Sequence, residues 1–248
     1  MKHLFTTFII IFFFSLSLSA QDSLAHSNKR NTIRWNPTPM ALIGPKSIVF
    51  GYERIITPNQ SISINIGSLI KRPFTNKYGQ EIHLLQEHNN GGFLGSIDYR
   101  FYFKNRNKRL APDGIYWGPY FSYYKLWFEG SSEILENGAS VNTVYFDTKF
   151  EMINAGIQIG YQFVIAKRFT VDMILVGPSY SYYKFNVKFN ADVDLDKDSD
   201  FYKNMQYLLE HMAPGLSSVL DDHELSSSGK LNFSYYGFRY LVQFGYRF

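Results

Sequence analysis

The C-terminal stretch constrains the fold most, because its alternation is unbroken. Phe238, Tyr240, Val242, Phe244, Tyr246 and Phe248 fall on one face of a strand, and Gly237, Arg239, Leu241, Gln243, Gly245 and Arg247 on the other. Side chains that alternate with a period of two point to opposite faces of a β-strand. Here one face is almost wholly aromatic and the other is mostly polar or small. A second segment sharpens the reading. Ile153, Ala155, Ile157, Ile159, Tyr161 and Phe163 point one way, Asn154, Gly156, Gln158, Gly160 and Gln162 the other. A face of only Gly, Asn and Gln makes a poor soluble core but a reasonable lumen for a narrow barrel, whose apolar face meets lipid.

The same alternation recurs along the chain. Ile62, Ile64 and Ile66 alternate with Ser63, Asn65 and Gly67; Ile97, Tyr99, Phe101 and Phe103 with Ser96, Asp98, Arg100 and Tyr102. Phe169, Val171, Met173 and Leu175 alternate with Thr170, Asp172, Ile174 and Val176; Ile48, Phe50 and Tyr52 with Ser47, Val49, Gly51 and Glu53. Residues 115–128 are aromatic on both faces, so they read as a strand of unassigned register. Eight strands result, at 31–43, 46–56, 60–71, 92–104, 114–129, 144–164, 169–190 and 231–248. Pro37 and Pro39 interrupt the first, which a strand end or bulge tolerates. Short connections (57–60, 104–113, 166–168) alternate with long ones (71–91, 129–143, 190–230). The pattern predicts an all-β, eight-stranded antiparallel up-and-down transmembrane β-barrel occupying 31–248.

The N-terminus predicts export. Lys2 precedes the apolar stretch Leu4 to Phe14, and small and polar residues follow up to Ala20. That layout marks residues 1–20 as a signal peptide, cleaved before Gln21, with 21–30 a flexible lead-in. The apolar core is too short to span a bilayer as a helix, which takes about 20 residues. Cysteine is absent, which excludes a disulfide scaffold and a thiolate metal site. The formal charge of +4 is too small to imply nucleic acid, and an exported chain has no access to it. The expected location is the outer membrane of a Gram-negative cell.

Particular stretches carry a resemblance. They are Gly51-Tyr52-Glu53-Arg54, Asp98-Tyr99-Arg100-Phe101-Tyr102-Phe103, Gly114-Ile115-Tyr116-Trp117-Gly118-Pro119-Tyr120 and the terminal Gly245-Tyr246-Arg247-Phe248. On these the chain resembles the small eight-stranded outer-membrane barrels of the OmpA/OmpX type. More closely, it resembles a set of largely uncharacterised outer-membrane β-barrel proteins carried by Bacteroidota-like bacteria. The resemblance implies a barrel and no catalytic residues. Tyr246 and Phe248 also resemble the terminal signal read by the barrel-assembly machinery, an expected partner alongside outer-membrane lipid.

The candidate site is a lumen polar network of Arg34, Glu53, Asp98, Arg100, Asp172, Arg239 and Arg247, all but Arg239 placed nearer the short-turn end. Eight strands leave an interior barely wide enough for side chains, so charges there must pair. The network reads as a plug that fixes register, with a gated ion path or proton relay as the alternative. Histidines 26, 83, 88, 211 and 223 lie off the predicted strands; His83 and His88, with Glu81 and Glu87, are a metal candidate in the loop 71–91 and read as solvated. Asp192, Asp194, Asp196, Asp198 and Asp200 mimic a calcium loop, but Lys197 stands where the turn needs Gly and Lys203 where a bidentate Glu is needed. No metal or cofactor is expected. Asp200 caps a predicted helix to Met212, ended by Pro214-Gly215, whose stripe Phe201, Met205, Leu208, Met212 packs on the barrel rim, a partner or lipid. The expected role is non-enzymatic, structural or surface-interacting through loops 71–91 and 190–230. A lipid-modifying barrel enzyme and a narrow, porin-like ion or small-solute channel are the alternatives.

Overall fold

A computed structural model of the protein describes residues 29–71, 82–104, 107, 110–136, 139–189 and 230–248. The strands are β1 (Asn31–Asn36), β2 (Ile48–Thr57), β3 (Gln60–Ser68), β4 (Ile82–Tyr102), β5 (Gly114–Glu136), β6 (Ala139–Ile165), β7 (Phe169–Val176), β8 (Pro178–Phe189), β9 (Lys230–Phe238) and β10 (Leu241–Arg247). Each pairs antiparallel with its neighbours, and β1 closes the ring by pairing with both β2 and β10. β7 and β8 are two halves of one barrel strand on the same edge of β6, and β9 and β10 are halves of the next. The result is a closed eight-stranded antiparallel barrel.

Period-two chemistry decides which way every strand faces. Ile157 is 54% exposed on the outside, and its neighbour Gln158 is wholly buried inside. Phe50, Ile64, Phe121 and Phe244 are likewise exposed, whereas Glu53, Asn65, Ser122 and Gln243 are buried. The molecule is thus inverted relative to a soluble domain: polar within, apolar without. At the usual rise and tilt, the band from Phe163 to Ile153 is about 25 Å tall, the height of an outer-membrane apolar belt. Tyr180, Tyr182 and Tyr236 are exposed at its upper border. One row further up, Lys125 pairs with Glu151 at 3.1 Å, and Lys184 stands in register with Glu151. An aromatic girdle followed by charges is how a barrel meets a bilayer surface.

Several boundaries differ from the sequence reading. The first strand ends at Asn36 rather than residue 43, because Pro37 and Pro39 remove ladder donors and the chain turns into a short helix, α1 (Thr38–Leu42). Where β1 leaves the sheet, the Thr38 hydroxyl takes its place. It accepts from the Val242 amide at 2.9 Å and donates to the Val242 carbonyl at 3.3 Å. Ser47 does the same for Ile70, at 2.9 and 3.2 Å, where β2 gives out. The predicted long connections 71–91 and 129–143 contain strand: β4 begins at Ile82, and β5 and β6 run to Glu136 and from Ala139, while 72–81 and 137–138 lie outside the described residues. Val176 was expected inside but is 44% exposed, since a bulge leaves Leu175 without a cross-strand partner between Ile174 and Val176. Lys29 and Arg30, expected in the flexible lead-in, already bond to the barrel through their carbonyls. The leader 1–20, most of 21–30, loop 190–229, its acidic run and the helix over 200–212 lie outside the described residues.

The tight turn at 166–168 is the most constrained connection. Ala166 and Lys167 both adopt positive φ, 49° and 61°. Two left-handed residues are what a type I′ turn requires to match the twist of its flanking strands.

Candidate functional site: the lumen ion network

Arg34 sits at the centre of the short-turn half, and two glycines make room for it. Its register partners are Gly51 on β2 and Gly245 on β10. A Cβ on Gly245 would come within 2.8 Å of Arg34 Cγ, and one on Gly51 would press on Asn65 and approach Arg34 Cβ at 3.5 Å. With both neighbours bare, the arginine crosses the lumen. Its Nη1 donates to Asp172 Oδ2 on β7 at 2.7 Å and stands 3.8 Å from Glu53 Oε2 on β2. Its Nη2 donates to the Ser63 hydroxyl.

Arg100, on β4, is the second hub. Its Nε donates to Asp98 Oδ2 at 2.6 Å, and Nη1 reaches Asp172 Oδ2 at 2.8 Å and Glu53 Oε1 at 3.5 Å. The guanidinium lies over the Tyr116 ring at 4.5 Å, a cation–π contact. Tyr116 donates its hydroxyl to Asp172 Oδ1 at 2.7 Å. Glu53 is held more closely by neutral donors than by arginines: Ser61 at 2.6 Å, Gln162 at 3.0 Å and Tyr102 at 3.1 Å. Gln162 Oε1 in turn accepts from Arg100 at 3.0 Å and from Tyr102 at 3.1 Å. Arg34, Glu53, Asp98, Arg100 and Asp172 have no solvent-exposed side-chain surface.

The other two predicted members lie at the margins. Arg239 joins from above, with Nη2 3.7 Å from Asp98 Oδ1 and its guanidinium 4.8 Å from the Tyr120 ring centre. Arg247 lies below and apart; its Nε donates to the Lys29 carbonyl at 2.8 Å. Three arginines (34, 100, 239) thus face three carboxylates (53, 98, 172), so the plug is electrically neutral. Sequence reasoning placed the charges but missed Ser61, Tyr102, Tyr116 and Gln162 as their partners. Parity would have found Ser61, Tyr102 and Gln162, which share a face with Glu53, Arg100 and Gln158. Tyr116 lay on the strand whose two faces are equally aromatic.

Chemically, this arrangement holds charge still. The Arg34 and Arg100 guanidiniums bridge carboxylates from different strands, and an ionised group deprived of its partner there costs several kcal/mol. A slip of one residue would also turn Arg34 or Glu53 onto the apolar exterior, where a charged side chain costs up to about 2–4 kcal/mol. The network therefore fixes register as well as filling the bore. His83 and His88 fall in the upper part of β4 rather than in a loop. Among the described residues, no group of His and acidic side chains is placed to hold a metal ion. Tyr246 and Phe248 are on the outer face; Tyr246 packs edge-on against Phe169 and accepts from Arg168 at 2.9 Å.

No family model matches the chain, and no curated protein matches it. Among solved structures it is similar to a major outer membrane protein from Thermus thermophilus, with a TM-score of 0.38 and 8% identity over 90% of this chain and 100% of that one.

Proposed function

We propose that the protein is an integral outer-membrane β-barrel that does not conduct and does not catalyse, and whose role is structural or interactive at the cell surface. The observation that supports this best is the neutral ion network that fills the short-turn half of the bore, inside the lower part of an apolar belt of bilayer height. A conducting barrel needs a continuous wetted path, whereas here Arg100, Tyr102, Tyr116 and Gln162 interlock across the lumen. In this reading the short turns face the periplasm, and β4, β5, β6 and β8 carry the barrel wall beyond the outer leaflet as a platform for a surface partner. Tyr246 and Phe248 serve recognition by the barrel-assembly machinery. Protease-cleavable tags test the orientation: one between β5 and β6 is cut on intact cells, and one at Asn59 is cut only after the outer membrane is permeabilised. Cleavage at Asn59 on intact cells overturns the orientation.

A further inference from the structure

Above the plug lies a cavity of about 200 Å³. Its lining mixes two sets of residues that a closed wall would keep apart. Leu94, Tyr120, Tyr124 and Leu241 belong to the inner face, whereas Phe238 and Tyr240 are exposed on the outer face at 61% and 54%. Leu42 of α1, 59% exposed, borders the same space. The cavity therefore has a mouth through the wall. The topology accounts for it: β1 stops at Asn36, and β9 pairs with β8 alone among the described strands. Phe238 stands in register with Pro178, next to the Ser179–Gly156 pair and so close to the level of Ile157. The mouth thus opens within the apolar band, onto lipid.

One polar group in this cavity lacks a full complement of partners. Arg239 is 8% exposed and lines the space. Its Nε and Nη1 have no hydrogen-bond partner among the described residues, and its nearest carboxylate is 3.7 Å away. Arg34 and Arg100 each hold an acid at 2.7 Å or closer. Asp98, the nearest acid to Arg239, bonds Arg100 through Oδ2 at 2.6 Å, and its Oδ1, which has no hydrogen-bond partner among the described residues, faces Arg239 Nη2 rather than Nε or Nη1, at a distance too long for a hydrogen bond. A buried guanidinium with unmet donors favours an anionic acceptor, above all a planar carboxylate. We infer that this cavity binds a single-chain carboxylate amphiphile of the fatty-acid class. Its headgroup lies on Arg239 and its chain passes Leu241 and Leu42 out through the mouth between α1 and β9. The space is large enough for the buried part: an apolar cavity of about 150 Å³ already admits benzene.

The inference rests on the membrane reading, and the test separates the two. The full-length barrel is placed in phosphatidylcholine nanodiscs, where incorporation and heat-modifiable mobility report the barrel itself. Radiolabelled dodecanoate is then titrated against empty discs as background. The expected result is saturable binding of one dodecanoate per barrel, not displaced by 1-dodecanol. Arg239→Gln weakens it at least tenfold. Leu42→Trp, at an exposed position remote from the ion network, narrows the mouth and also weakens binding, which keeps the test decisive should Arg239→Gln not fold. Partition equal to empty discs, competition by the alcohol as strong as by the acid, or binding unchanged in Leu42→Trp overturns the inference.

Discussion

Arg34 and Asp172 are separated by 138 positions in the chain, yet their side chains meet at 2.7 Å, both fully buried inside the barrel. β1 and β7 are not neighbours in the sheet; β10 lies between them. The pair therefore reaches across β10 on the inner face and ties the closing seam of the barrel to the strand beyond it.

Asp172 is expected to matter more than Glu53. Asp172 takes the short bonds from both hub arginines and from Tyr116, at 2.7, 2.8 and 2.7 Å. Glu53 sits at 3.5 and 3.8 Å from those arginines and relies on neutral donors. Asp172→Ala is predicted to cost about 3–5 kcal/mol in urea titration from lipid vesicles, the usual penalty for breaking a buried pair. Glu53→Ala is predicted to cost less. A double-mutant cycle of Glu53 with Arg100 shows coupling, whereas Glu53 with Arg247 is additive to within about 0.5 kcal/mol. Coupling to Arg247 instead of Arg100 would refute this arrangement.

Gly245 supplies the space that Arg34 uses. Gly245→Ala is predicted to destabilise the barrel by about 1–3 kcal/mol through overpacking. Its effect is partly non-additive with Arg34→Ala, because the shorter side chain removes the contact with Arg34 Cγ and leaves those with Thr170 Oγ1 and Thr32 Cγ2. Additive losses in the same titration would show that the glycine acts elsewhere.

How far these relationships were legible follows from parity. Strand alternation alone put Arg34, Glu53, Asp98, Arg100, Asp172, Arg239 and Arg247 inside, since a membrane barrel admits no other face for them. Which charge meets which depends on the stagger of strands around the ring, and no local pattern encodes that. Thus Arg247, on the same inner face as the other charges, turns to the Lys29 carbonyl. The ends of elements were read less well wherever a side chain substitutes for the backbone. Thr38 and Ser47 each replace a ladder partner with a hydroxyl, which lets β1 end early without orphaning Val242. The upper parts of β4, β5 and β6 were read as loops because polar residues there mimic turns, although they lie beyond the apolar band, where a strand needs no apolar face.

The height of the belt sets a third expectation. Ile157→Arg, within the band, is predicted to cost about 2–4 kcal/mol, and Tyr182→Arg, in the girdle, about 0–1 kcal/mol. Equal losses in vesicle titrations would displace the bilayer from this position on the barrel.

Phe248 closes the seam with β1. Its amide donates to the Asn31 carbonyl at 2.9 Å, and its carbonyl accepts from the Asn31 amide at 3.1 Å. Deleting it is predicted to lower outer-membrane levels and the fraction with heat-modifiable mobility. Phe248→Tyr keeps the backbone pair and an aromatic end and is predicted to assemble normally. Normal assembly of the deletion would remove both roles.

Planar-bilayer recording of the purified wild-type barrel tests the plug most directly. The bore is closed by a neutral network of arginines, carboxylates, tyrosines and Gln162, so the wild type is predicted to give no conductance steps at any holding potential the bilayer withstands. Asp172→Ala, which leaves Arg34 without its closest acid and takes from Arg100 the acid at 2.8 Å, is the variant predicted to show transient openings. Steady ohmic steps from the wild type that Asp172→Ala leaves unchanged would contradict the account, for the ion path would then bypass the network altogether.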